Sequence, residues 1–245
     1  MPMKIIILAG GKGTRIPEYT KIIPKPMIRI NKVPILLHII EHYTKFDFKD
    51  FYIAIGHKKN IICKYFKNFK QIDKPFAFKI KSKKIFITLS DTGKNTLTGG
   101  RIKRMKKFIQ KHENFMFTYG DGISSIDLKK LLLFHKKNKK LVTVTAVRPP
   151  ARFGEITIKN NRVKTFKEKP QVGKGWINGG FFVANYKFFN LIKGDKTILE
   201  KEPLEIATQK KQLYAYKHSG FWKCMDTYRD KTVLEKILKK NFIEK

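Results

Sequence analysis

Cysteine is scarce in this 245-residue chain: Cys63 and Cys224 are the only two. Two thiols so far apart in sequence make neither a disulfide framework nor a zinc site, and they fit a reducing cytoplasm. Acidic residues are also few, 19 against 54 lysines and arginines, which leaves a formal net charge of +35. No apolar run approaches the roughly 18 residues that cross a bilayer. The run Ile5–Leu8 is too short for a signal peptide, and glycines follow it at once. No Pro/Ser/Gly linker separates two halves and no internal repeat appears, so one domain is expected over residues 1–245.

The charge excess suggests a nucleic-acid binder, but nothing else does. Lysines are spread along the whole chain, and no arginine-rich arm, zinc finger or aromatic RNA-binding signature is present. Lys, Ile, Phe and Asn are all abundant, as A/T-rich codons would make them. The field would still draw anionic small molecules.

What is there supports a core: 42% hydrophobic residues and 13% aromatic. Strands and helices alternate through the first half. Lys4–Ala9, Phe51–Gly56, Ile85–Leu89, Phe115–Tyr119 and Leu141–Val147 read as strands. Pro34–Phe46, Lys58–Phe69, about Arg101–Lys111 and Asp127–Lys137 read as helices; Ile35, Leu36, Ile39, Ile40 and Tyr43 share one face of the first. This order predicts an α/β sandwich on a largely parallel sheet. From Gly154 the stretches GEITI, RVKTFKE, GGFFVAN and QLYAYKH read as short strands with few helices between them. They predict a strand-rich extension of the same sheet, closed by a helix over about Tyr228–Lys240.

Residues 8–15, LAGGKGTR, place three glycines and then Thr14 and Arg15 at the end of the first strand. Open α/β sheets bind ligands at such ends. Gly10, Gly11 and Gly13 let backbone N–H groups approach a phosphate, and Arg15 adds a cationic fork. The stretch lacks the Gly-Lys-Ser/Thr of a P-loop, and Ile16 stands where a dinucleotide fingerprint needs its third glycine. A triphosphate cradle is the expectation; a ligand-free tight turn is the alternative. Lys25, between Pro24 and Pro26, is a stiffly held cation that could reach the same phosphates. Asp121, in the turn Gly120-Asp121-Gly122, is either a turn-stabilising residue or a metal ligand. Trp222 is either a wall of a ligand site or a core aromatic.

LAGGKGTR and KPM, followed in order by DTG, TGGR, FTYGDG, RFG, EKP, INGGFFV, EPL, GFW and MDT, resemble the sugar-nucleotidyltransferases. The likeness runs from Met3 to about Leu238, and the set resembles in particular the members that use CTP and glucose 1-phosphate. It implies a Rossmann-like three-layer fold with a mixed, mostly parallel sheet. It divides the domain into an NTP-binding half, about 1–150, and a sugar-phosphate half, about 151–245. The implied reaction joins a nucleoside triphosphate to a sugar 1-phosphate, releases pyrophosphate, forms no covalent enzyme intermediate and supplies deoxysugars for surface polysaccharide. Arg15, Lys25, Asp121 and Asp226 are the implied catalytic residues, with Asp121 and Asp226 as Mg²⁺ ligands. Leu8, Ala9, Gly10, Gly11, Gly13, Thr14, Arg15, Lys25, Thr96, Arg101 and Gly120 are the implied nucleotide contacts. Gly154, Glu168, Lys169, Asn178 and Gly179 are the implied sugar-phosphate contacts. A homo-oligomer is implied too, with Thr96 and Arg101 reaching nucleotide across a subunit boundary. The Gly-, Thr- and Asn-rich loop between Asp91 and Gly100 has little apolar content to pack on its own body, which suits such docking. The segment between Phe78 and Leu89 is shorter than is usual in the family. Another sugar phosphate, another nucleotide, or a non-catalytic binder that keeps the fold are the rival readings.

Overall fold

The computed structural model describes residues 2–67, 71–148, 155–167 and 175–243. Its first half runs β1 (Lys4–Leu8), α1 (Pro17–Thr20), β2 (Arg29–Ile30), β3 (Val33–Pro34), α2 (Ile35–Lys45), β4 (Asp50–Ile55), α3 (Lys59–Tyr65), β5 (Pro75–Ile80), β6 (Lys83–Asp91), α4 (Thr98–Arg104), β7 (Asn114–Tyr119), β8 (Gly122–Ser124), α5 (Leu128–Asn138) and β9 (Val142–Val147). The second half adds β10 (Glu155–Lys159), β11 (Arg162–Lys167), β12 (Ile177–Asn185), α6 (Glu202–Gln209), β13 (Leu213–His218), β14 (Trp222–Cys224) and α7 (Tyr228–Ile243).

Eight strands form one sheet in the order β13-β9-β12-β7-β1-β4-β6-β5. β7, β1, β4 and β6 are parallel neighbours, and β9 and β13 are parallel to each other. β12 runs antiparallel to both β7 and β9, and β5 antiparallel to β6, so only these two oppose the rest. β1 shows why the sheet is covered on both faces. Ile5 and Ile7 enter one core with Ile35, Leu36, Ile39 and Ile40 of α2, Leu131 of α5 and Leu234 of α7. Ile6 and Leu8 enter the other with Ile102 of α4 and Leu204 and Ala207 of α6. Four consecutive apolar positions, Ile5–Leu8, are what a two-faced parallel sheet requires. The fold is therefore the three-layer α/β sandwich expected, with a mixed, mostly parallel sheet.

The chain leaves β1 toward β4 and β6 on one side, and β7 returns on the other. This reversal opens a crevice at the carboxyl ends of β1 and β7, where open sheets of this kind bind ligands.

Five expectations change. β5 is an additional strand; Phe76, Phe78 and Ile80 alternate along it, and Lys81, in the left-handed region at φ 51°, turns it into β6. α4 begins at Thr98, before Arg101, because the Gly99 and Gly100 N–H groups both donate to Thr197 O. α6 interrupts the strand-rich half, with Pro203 in its first turn, where a missing N–H costs nothing. β12 and β13 extend the main sheet as expected, but among the described residues β10 and β11 pair only with each other. The helix expected to run to Phe69 is also shorter: it ends at Tyr65 with Phe66 as its C-cap, and Lys67 takes the left-handed region at φ 51°, while residues 68–70 lie outside the described residues.

Candidate active site

The glycine loop leaves β1 at Leu8 and is tied down at once. Ala9 N donates to Ala54 O at 3.0 Å, and His57 N donates to Gly10 O at 3.0 Å. Gly13 takes φ 66°, and its carbonyl accepts from Ile16 N and from the Thr20 hydroxyl. The glycines serve different needs. A Cβ on Gly11 would meet no atom within 4 Å, whereas one on Gly10 would lie 2.1 Å from Arg101 Nη1. Gly11 faces open space; Gly10 admits the guanidinium.

The two aspartates meet through a small ribbon. β14 pairs antiparallel with β8, Cys224 opposite Gly122, and Met225 N donates to Asp121 O at 2.9 Å. Asp121 at the foot of β8 and Asp226 just past β14 thus come side by side. The Asp226 backbone is held from below: Asp230, 6% exposed, accepts from Asp226 N, Thr227 N and the Thr227 hydroxyl. Thr227 Oγ1 in turn accepts from Asp230 N, a capping box at the start of α7. The Asp230 carboxyl is held below the usual range: burial opposes this, but the Lys223 ammonium and the Thr227 hydroxyl outweigh it.

Lys25 sits in a single turn of 3₁₀ helix, Lys25–Met27, and is 7% exposed. Its ammonium donates to Asp121 Oδ2 at 2.6 Å and to Asp226 Oδ1 at 2.7 Å. Arg15 Nη1 donates to Asp226 Oδ2 at 2.6 Å. Burial alone would lower the lysine pKa; the two carboxylates reverse the sign and hold it above its ordinary value. Arg15, Lys25, Asp121 and Asp226, far apart in sequence, form one charge cluster.

That cluster lines a cavity of about 850 Å³, a size suited to a nucleotide with a second substrate. Leu8, Gly11, Gly13, Thr14 and Gly120 contribute to the wall near the glycine loop, and Asn178 and Gly179 to the far wall. Ala9, Gly10 and Thr96 are buried and do not line the cavity. Gly154, Glu168 and Lys169 lie outside the described residues. Trp222 is half-buried in the wall, and its indole donates to Gly179 O at 2.6 Å.

Arg101 touches the cavity, but its guanidinium is turned to its own chain. It is 3% exposed, and Nη1 donates to Thr92 Oγ1 at 2.7 Å and to Gly93 O at 2.8 Å. The loop before it also has a footing on its own body: Leu97 N donates to Asp195 O, and the Thr92 hydroxyl to Ile55 O. The polar sequence of this loop suggested otherwise, because its anchors are hydrogen bonds where apolar contacts were sought.

Three wall residues were not singled out as site residues from sequence. Tyr119 donates its hydroxyl to Glu200 Oε1 at 2.5 Å and accepts from Asn178 Nδ2 at 3.2 Å, and Glu200 Oε2 accepts from the Thr98 hydroxyl at 2.8 Å. Gly180 clears room for the Tyr119 ring, since a Cβ there would lie 2.6 Å from it. Tyr119 lay inside the quoted FTYGDG, and Thr98 opens TGGR, but no local pattern marks Glu200. Cys224 Sγ approaches Asp226 Oδ2 at 3.5 Å, and burial and the carboxylates push its pKa up to about 12. The thiol therefore stays protonated near neutrality and offers no nucleophile.

Comparison with known proteins agrees with this geometry. The nucleotidyl transferase family model matches residues 4–227. A glucose-1-phosphate cytidylyltransferase of Salmonella typhimurium is 42% identical, covering 97% of this chain and 96% of its own. A "probable glucose-1-phosphate cytidylyltransferase" of Bacillus subtilis is 36% identical, covering 96% of each. A solved UDP-glucose pyrophosphorylase in complex with UDP-glucose superposes with a TM-score of 0.71 at 18% identity, over 98% of this chain and 100% of that one, a likeness of fold.

Proposed function

Since the chain belongs to the nucleotidyl transferase family, we propose that it transfers a cytidylyl group from CTP to glucose 1-phosphate, giving CDP-glucose and pyrophosphate. The observation that carries the reading is the convergence of Arg15, Lys25, Asp121 and Asp226 on one cavity beside an exposed glycine loop. A phosphate oxygen of glucose 1-phosphate attacks the α-phosphorus of CTP. The bond from that phosphorus to the bridging oxygen breaks, and pyrophosphate leaves with the bond's electrons.

The protein's task is to hold two anions together and to offset charge on the transferring group. The loop at Gly11 and Gly13 takes the triphosphate against its backbone. Arg15 and Lys25 lie close enough to the loop to pair with phosphate oxygens. Asp121 and Asp226 form a hard-oxygen donor pair that fits Mg²⁺, and their convergence on the Lys25 ammonium supports reading them as cation-holding. The ion, when bound, neutralises phosphate charge at the reacting centre. Asn178, the Gly179 backbone and the Trp222 face receive the sugar end. The whole chain is read as a single catalytic domain, assembled into homo-oligomers in the cytoplasm; sedimentation velocity of the active species tests the assembly.

Pyrophosphate release with a matrix of nucleoside triphosphates and sugar 1-phosphates tests the substrates. CTP with glucose 1-phosphate is expected to give the highest kcat/KM. A different winning pair overturns the specificity, and no release from any pair overturns the catalytic reading.

The Tyr119–Glu200–Thr98 network gives a second expected result. Glu200→Gln leaves one amide group facing a hydroxyl donor that Glu200 had accepted from. The KM for glucose 1-phosphate should rise by about tenfold, with the KM for CTP nearly unchanged. An equal effect on both substrates, or none, removes the network from the sugar side.

A further inference from the structure

Pro24 and Pro26 fix the backbone on either side of Lys25, but its four-carbon stem remains free to turn. The ammonium stands between Asp121 Oδ2 and Asp226 Oδ1, at 2.6 and 2.7 Å. Arg15 covers the other oxygen of Asp226. Two carboxylates thus face two cations, and the cluster is already neutral. A divalent ion drawn to the same oxygens would meet an ammonium at close range, and the neighbouring Asp230 carboxylate is already paired with Lys223. In a site where the lysine is 7% exposed, water screens that repulsion poorly. The same stem runs under the glycine loop: a Cβ on Gly13 would lie 3.1 Å from Lys25 Cβ. Phosphate held by the loop would therefore lie within the ammonium's swing. The Arg15 side chain, 71% exposed, is freer still to follow it.

We propose that Lys25 competes with the divalent cation for the Asp121–Asp226 pair, and that the nucleotide's phosphates end the competition by taking the ammonium away. Lys25 then acts twice, holding the carboxylates together before the nucleotide arrives and pairing with phosphate afterwards. Cation affinity becomes conditional on the nucleotide, although both ligands of the ion are already in place. This inference rests on reading Asp121 and Asp226 as the cation-holding pair.

Mn²⁺ is the probe, with its free fraction read by electron paramagnetic resonance in the absence of nucleotide and sugar phosphate. Lys25→Met should bind Mn²⁺ about tenfold more tightly than the wild type, and its melting temperature should gain more from added Mn²⁺. Calorimetric titration with CTP in the presence of EDTA should show the opposite: about tenfold weaker binding by Lys25→Met. Equal or weaker Mn²⁺ binding by the folded variant overturns the competition, and unchanged CTP binding overturns the transfer to phosphate. Asp121→Asn and Asp226→Asn separate this idea from the reading beneath it. Mn²⁺ binding that survives in both overturns the carboxylate site itself. Loss in both, with no gain in Lys25→Met, overturns only the competition. Lys25→Gln carries the same comparisons if the methionine variant does not fold.

Discussion

Asp226→Asn should yield a folded protein that releases pyrophosphate about a thousand times more slowly than the wild type, equivalent to about 4 kcal/mol of lost transition-state stabilisation. The size follows from the number of partners lost. Asp226 holds Arg15 through one oxygen and Lys25 through the other, and it supplies half of the carboxylate pair. Asn keeps the shape but cannot carry the charge that a divalent ion requires of its ligands. Folding should survive, because the fixing contacts around Asp226 use the main chain. Its N–H donates to Asp230, Met225 N donates to Asp121 O, and β14 pairs with β8. Lys25 also keeps Asp121 as a partner. Asp121→Asn should lose a comparable factor for the same reasons. Steady-state pyrophosphate release beside a thermal melt decides it: near-wild-type turnover in either folded variant removes that carboxylate from the chemistry.

Gly10→Ala should be strongly destabilising. The new Cβ would stand 2.1 Å from Arg101 Nη1, 2.6 Å from its Cζ and 3.0 Å from Gly56 N. The guanidinium cannot step aside cheaply, since moving it breaks its bonds to Thr92 Oγ1 and Gly93 O in a place that water does not reach. A loss of about 3 kcal/mol is expected, within the range for overpacking combined with a stranded buried cation. Arg101→Ala is expected to cost a similar amount, and the two should not add. With the guanidinium gone, the alanine methyl has room on that side, so Gly10→Ala in the Arg101→Ala background should cost at least about 1 kcal/mol less than alone. Denaturant unfolding of the four proteins measures the coupling. Strict additivity would show that Gly10 is small for some other reason.

This pair also marks where sequence reasoning reached its limit. Gly10 and Arg101 both belong to recognisable motifs, and both were assigned to the nucleotide. The structure places them against each other, a contact between the loop after β1 and α4 that neither motif contains. The strands β1, β4, β7 and β9 and the helices α2 and α5 were legible because apolar periodicity is a local property. β5 was legible in principle from alternating Phe76, Phe78 and Ile80, and α6 from Pro203 at its start. Asp230 could have been found as well, since Thr227-x-x-Asp230 has the spacing of a capping box. Glu200 could not. Its partners Thr98 and Tyr119 lie on other elements, and only the folded chain brings the three together. The meeting of Asp121 with Asp226 came from family resemblance, because pairing between two three-residue strands leaves almost no periodic trace.

That ribbon of β8 and β14 also gives the site an order in time. The phosphate loop, Lys25 and Asp121 are synthesised early, but Asp226 reaches them only after β14 has been made and paired on β8. A nascent chain that has already formed β1, β4 and β7 therefore has the glycine loop, Lys25 and Asp121 without Asp226. If the two carboxylates act together as proposed, a chain that has not yet made β14 has no means of consuming CTP.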